Sequence, residues 1–112
     1  MKMNINMKKI VFFLLVQFVA IGAFAQEAAI KEAEVAYTKE DYGKAIELYE
    51  GLLKTHGESA EIYYNLGNAY YKENKIAPAI LNYERALLLD PGDGDIRFNL
   101  QLARQKSVDK IE

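Results

Sequence analysis

The sequence predicts an all-α chain built as an α-solenoid of antiparallel helix hairpins. Three observations predict it. The chain resembles itself at a shift of 34 residues, its apolar residues recur with helical period, and no stretch alternates with period two for long enough to form a strand. Aligning residues 26–59 on 60–93 pairs Glu27 with Glu61, Tyr37 with Tyr71, Ala45 with Ala79, Ile46 with Ile80, Tyr49 with Tyr83, Glu50 with Glu84 and Leu53 with Leu87. A second shift pairs Ile62, Asn65, Leu66, Ala69 and Lys72 with Ile96, Asn99, Leu100, Ala103 and Lys106. The expected organisation is a leader (1–25), a degenerate first unit (26–59), a well-formed second unit (60–93) and a partial third repeat or capping helix (94–112).

The elements follow from periodicity and stop signals. Residues 1–25 read as a secretory signal peptide. Lys2, Lys8 and Lys9 form a basic n-region, Ile10 to Gly22 is apolar except for Gln17, and Ala23-Phe24-Ala25 supplies the cleavage signal. An uncleaved membrane anchor is the alternative. Ile10 to Ala25 is 16 residues, against the roughly 20 that a spanning helix needs, so cleavage after Ala25 and export to the periplasm are expected. The first helix is then expected over 27–39 and the second over 42–55, stopped by Gly57. Ser59 caps a third helix over 60–73. A fourth covers 75–89, with Pro78 in its first turn, where no intrahelical hydrogen bond is lost. Asp93 caps a fifth over 95–106.

Composition excludes several functions. With no cysteine and one histidine, His56, the chain offers no disulfide, thiolate metal site or Cys nucleophile. Neither Ser59 nor Ser107 has a histidine at a plausible helical offset, so no enzyme is expected. His56 beside Gly57 reads as a solvated helix end. Asp90, Asp93 and Asp95 lack the closing glutamate of a calcium loop. No cofactor and no small-molecule substrate are expected. Removal of the leader leaves 11 basic against 16 acidic residues, a net −5, which argues against nucleic acid as a partner.

Residues 60–93 resemble the tetratricopeptide repeat. Tyr63-x2-Leu66-Gly67-x2-Tyr70 follows its first-helix pattern with tyrosine for tryptophan, and Ala79-x3-Tyr83, Ala86 and Pro91 follow its second. In 26–59 the second half matches through Ala45, Tyr49 and Leu52, whereas Glu32, Ala33 and Ala36 depart from the first half. The resemblance implies a repeat core of Tyr63, Leu66, Gly67, Tyr70, Ala79, Tyr83, Ala86 and Pro91, with Gly67 and Ala79 small where the helices cross. It implies hairpins that stack to bury one continuous core, and a concave face, lined by the first helix of each pair, that binds extended peptides or protein segments. The groove residues are then Tyr37, Glu61, Tyr64, Asn68, Tyr71, Lys72, Phe98 and Leu102, with Asn68 able to hydrogen-bond a peptide backbone both ways. Packing against neighbouring helices is the other reading of Tyr64, Tyr71 and Phe98. Asn68 and Lys72 also match a variant groove that grips a C-terminal carboxylate, although Tyr64 stands at its first lysine.

The stretch Leu87-Leu88-Leu89-Asp90-Pro91-Gly92-Asp93-Gly94-Asp95-Ile96-Arg97-Phe98-Asn99-Leu100, continuing through Arg104 to Val108-Asp109-Lys110-Ile111-Glu112, is similar to the repeat segment of BatE-type aerotolerance proteins of Bacteroidetes. That resemblance implies a role in a periplasmic or membrane-associated complex linked to stress tolerance. The family's repeats precede membrane helices and an SH3-like domain, which do not follow Glu112, so a truncated product or a short relative is expected. Membrane contact would then come only through the leader or a lost C-terminal region. The expected function is a non-catalytic protein–protein interaction module. Its alternative is an assembly role, in which the last helix pairs with a second copy or with further C-terminal chain.

Overall fold

The computed structural model describes residues 6–109, apart from the side chains of 18–21. Lys2, in the basic n-region, and residues 110–112 lie outside them. Five helices follow in order: α1 Met7–Thr38, α2 Tyr42–His56, α3 Ala60–Lys72, α4 Ile76–Leu89 and α5 Gly94–Asp109. Each packs on the next, and α3 also touches α5. The array is therefore an all-α solenoid, with hairpins α1–α2 and α3–α4 and a single helix α5.

Four helices run within a few residues of their expected bounds, and α1 does not. It starts at Met7 instead of residue 27 and spans 32 residues. The physical reason is the absence of a breaker: Ala23, Ala25, Ala28 and Ala29 are the strongest helix formers, and Gly22 alone does not stop a helix. The side chains from Met7 to Gln17 are exposed, and among the described side chains of α1 the first fully buried is Ala33. The helix is long and apolar enough to cross a membrane, with a window of mean hydropathy 1.9.

Both hairpins turn in the same way. Glu40 and Asn74, 34 residues apart, each adopt φ 62°. At the first turn, Glu40 N–H donates to the Tyr37 carbonyl and Asp41 N–H to that of Ala36, both at 2.9 Å. At the second, Asn74 and Lys75 repeat the pattern onto Tyr71 and Tyr70. These are Schellman closures, which satisfy the last carbonyls of α1 and α3. Asparagine tolerates the left-handed region comparatively well, whereas glutamate does so at a cost. Asp41 additionally caps α2 by accepting from Lys44 N–H at 3.3 Å. The α2–α3 link turns at Gly57, whose φ of 88° and ψ of −172° suit only glycine. Ser59 Oγ then accepts from Ile62 N–H, and Asp93 Oδ1 from Asp95 and Ile96 N–H.

The core repeats with the sequence. Ala45/Ala79, Tyr49/Tyr83, Ile62/Ile96, Leu66/Leu100 and Ala69/Ala103 are all buried pairs 34 residues apart. Ala33, Ala36, Ile46 and Leu52 join α1 and α2 to α3, while Tyr63 and Ala86 pack with Ile96 of α5. Gly67 faces the ring of Tyr83: a Cβ built there would lie 2.7 Å from Cδ1 and Cε1. Pro91, expected in the repeat core, is exposed. It sits in the turn before α5, beyond the buried face of α4, and its carbonyl accepts from Arg97 Nη2 at 2.6 Å.

Candidate functional site

The first helices of the units, α1, α3 and α5, line one side of the solenoid, and two adjoining clefts run across it. One, of about 300 Å³, is bounded by Glu34, Tyr37, Thr38, Tyr49, Asn65 and Asn68. The other, of about 220 Å³, is bounded by Tyr37, Asn68, Tyr71, Lys72, Tyr83, Asn99 and Leu102. They share Tyr37 and Asn68, so together they form one groove from α1 to α5.

Of the residues expected there, Tyr37, Asn68, Tyr71, Lys72 and Leu102 line the groove, while Glu61, Tyr64 and Phe98 do not. Glu61 is exposed in the first turn of α3. Tyr64 packs into the core beside Tyr83, with ring centroids 6.0 Å apart. Phe98 is 60% exposed on α5, outside the groove. Asn65, Asn99, Tyr49 and Tyr83 are lining residues that sequence reasoning missed. The signal for them was present: Asn65/Asn99 and Tyr49/Tyr83 are both pairs at the repeat shift, and each asparagine is placed against the tyrosine of the preceding hairpin.

A polar network fixes the groove floor. Tyr83 O–H donates to Asn68 Oδ1 at 2.5 Å, and Asn99 Nδ2 donates to the same oxygen and to Tyr64 Oη, each at 3.0 Å. Two donors occupy the Asn68 oxygen, and its NH2 group makes no hydrogen bond among the described residues. Asn68 therefore offers the groove donors only, a correction to the two-way bonding expected from its residue type. Charge varies along the groove, with Glu34 at the α1 end and Lys72 at the α5 end. Lys106 Nζ lies 4.8 Å from the centre of the Tyr71 ring, a cation–π contact that holds the ring. Tyr37 rests edge-on against Tyr42, with centroids at 5.3 Å.

Burial pushes several tyrosines upward. Tyr49 rises to about 12 through burial, then through the charges of Glu34 and Glu61, with the Asn65 hydrogen bond opposing. Tyr70 also rises to about 12, through burial and the Glu50 carboxylate that its hydroxyl contacts. Tyr83 is raised by burial and by the neighbouring tyrosines Tyr64, Tyr37 and Tyr71. A phenol whose folded pKa exceeds its unfolded value of about 10 contributes stability that is complete below pH 10 and lost above it. Helical circular dichroism should therefore hold steady from neutral pH to about pH 10 and fall between about 10 and 12. A transition completed below pH 9 would contradict this.

Comparison with known proteins agrees with the geometry. Residues 60–93 match the tetratricopeptide repeat family. Over 67 residues the chain is 33% identical to the peroxisomal targeting signal receptor of Saccharomyces cerevisiae, covering 60% of this chain and 11% of that protein. It is also similar to the crystal structure of the Sgt2 TPR domain from Aspergillus fumigatus, with a TM-score of 0.71 and 26% identity over 76% of this chain and 56% of that one. The chain thus spans about a tenth of the receptor and just over half of the solved domain. These likenesses support a tetratricopeptide-repeat protein, and the fold is the corresponding all-α solenoid.

Proposed function

We propose that this chain is a non-catalytic interaction module that seats an extended segment of a partner protein in the groove across α1, α3 and α5. The observation that carries the reading is Asn68, locked as a donor between Tyr37 and Tyr71. Its free N–H groups suit a peptide carbonyl, and the flanking rings and Leu102 offer apolar contact at low entropic cost. Lys72 at one end and Glu34 at the other favour a segment whose acidic side lies toward α5. The basic n-region, the exposed apolar run and Ala23-Phe24-Ala25 support export with cleavage after Ala25. The resemblance to BatE-type proteins supports a periplasmic, stress-linked complex as the setting.

One experiment tests these readings together. The full-length gene is expressed in a Gram-negative host with a photo-crosslinking amino acid at Lys72, Leu102, Phe98 or, as control, Lys44 on α2. Periplasmic protein bearing the probe at Lys72 or Leu102 should form heterologous polypeptide adducts, its Lys44 counterpart should not, and its N-terminus should be Gln26. Adducts from Lys44 alone would overturn the groove assignment, and an intact N-terminus would overturn cleavage. Adducts from Phe98 to a second copy would favour the assembly role, which the 60% exposure of that ring supports.

A further inference from the structure

A second cleft, of about 300 Å³, lies away from the groove, between α2 and α4. Glu50, Leu53 and Lys54 form one wall, Pro78, Leu81, Asn82 and Arg85 the other, and Leu66 and Tyr70 the floor. Asn82 sets it apart. It is 4% exposed, and its Oδ1 has no hydrogen-bond partner, the one such buried side-chain atom among the described residues. Its Nδ2 donates to the Pro78 carbonyl at 2.8 Å, which fixes the amide orientation and leaves the oxygen as the orphan. A buried acceptor without a partner costs stability. The first hairpin does without this cost, because Leu48 stands at the equivalent position and packs on the core.

The surroundings define what would satisfy it. The Glu50 carboxylate accepts from the Tyr70 hydroxyl. Lys54 and Arg85 at the rim form no salt bridge among the described residues, and Arg85 rests over the Tyr63 ring at 5.9 Å. In a chain of net charge −2, this cleft sets two cations, Lys54 and Arg85, against the one carboxylate of Glu50, which the Tyr70 hydroxyl contacts, beside the apolar side chains of Leu53 and Leu81, the latter 46% exposed. We propose that the α2–α4 cleft is a second binding site, for an acidic segment of a partner protein that donates an N–H or O–H to Asn82 Oδ1 and places carboxylates at Lys54 and Arg85. The site is independent of the groove reading, since the two share no residue.

The test uses the 15N-labelled full chain in detergent micelles and a blocked peptide, acetyl-Glu-Ser-Leu-Ser-Glu-amide, whose capped ends remove any terminal carboxylate. Saturable shifts are expected in the Asn82 side-chain amide and in the backbone amides of Leu53, Leu81 and Arg85, with Asn68 and Tyr71 unmoved. The same peptide with lysine for glutamate should give none. Asn82→Leu, which places the first hairpin's residue in the second, should unfold at a higher temperature than the parent and lose the shifts. Arg85→Gln should weaken them while the chain keeps its helical circular dichroism. Equal response to both peptides, no saturable response at millimolar peptide, or unaltered binding by Asn82→Leu would each overturn the proposal.

Discussion

Replacing Tyr83 with alanine should cost about 3–5 kcal/mol, the range for deleting a fully buried aromatic side chain, and leave so small a chain largely unfolded at physiological temperature. The ring is 2% exposed and packs with Ala79, Leu100 and Ala103, so it joins α4 to α5. Its hydroxyl also reaches Asn68 on α3. Tyr83→Phe should cost only about 1 kcal/mol, the typical net worth of one hydrogen bond, because Asn99 still donates to the Asn68 oxygen. Chemical denaturation followed by circular dichroism measures both. Equal losses for the two variants would show that the hydroxyl, not the ring, holds the hairpin.

The second large effect is Gly67→Ala. Alanine in a helix interior ordinarily gains about 1 kcal/mol over glycine. Here the new methyl would sit 2.7 Å from two ring carbons of Tyr83, and a buried ring held by packing and a hydrogen bond cannot step aside cheaply. Overpacking typically costs about 1–3 kcal/mol, so a net loss of up to about 2 kcal/mol is expected. Ala33 occupies the equivalent place in the first hairpin, so the fold accepts a methyl where its own helices leave room for it. The sign should therefore depend on the ring. In a Tyr83→Leu background, Gly67→Ala should become neutral or stabilising, a coupling that a double-mutant cycle reads directly. Additive losses would mean that the clash is relieved elsewhere.

The parts of the fold legible in the sequence were those that the repeat writes twice. Buried pairs such as Ile62/Ile96 and Leu66/Leu100 declared themselves by spacing, and Ser59 and Asp93 announced their caps. What stayed hidden had no such signal. Glu40 gives no hint of a left-handed turn, because only its backbone closes the first hairpin and tertiary packing overrides its preference. The onset of α1 was misread because cleavage and helix formation leave separate marks: a small-x-small site says nothing about backbone conformation. At the groove, Tyr37, Asn68, Tyr71, Lys72 and Leu102 were legible from helical phase once the resemblance to the repeat family implied which helices line the concave face. Tyr64 and Phe98 share a repeat position yet have different fates, since Tyr64 has α5 beside it, supplying Asn99 as a partner, whereas Phe98 has no following helix among the described residues. The donor-only state of Asn68 depends on Tyr83 of α4 and Asn99 of α5, a convergence of three helices that no linear pattern encodes.

The unbroken α1 bears on the cleavage proposed after Ala25. Among its described side chains, apolar packing on the core begins at Ala29 and Ile30, downstream of Ala25. Scission at that bond would shorten a projecting rod whose side chains from Met7 to Gln17 are exposed, and Glu27 would fall in the first turn of the trimmed helix, where the dipole favours an acid. On the proposed reading, cleavage after Ala25 would leave in place the part of α1 that packs on α2 and α3 from Ala29 onward.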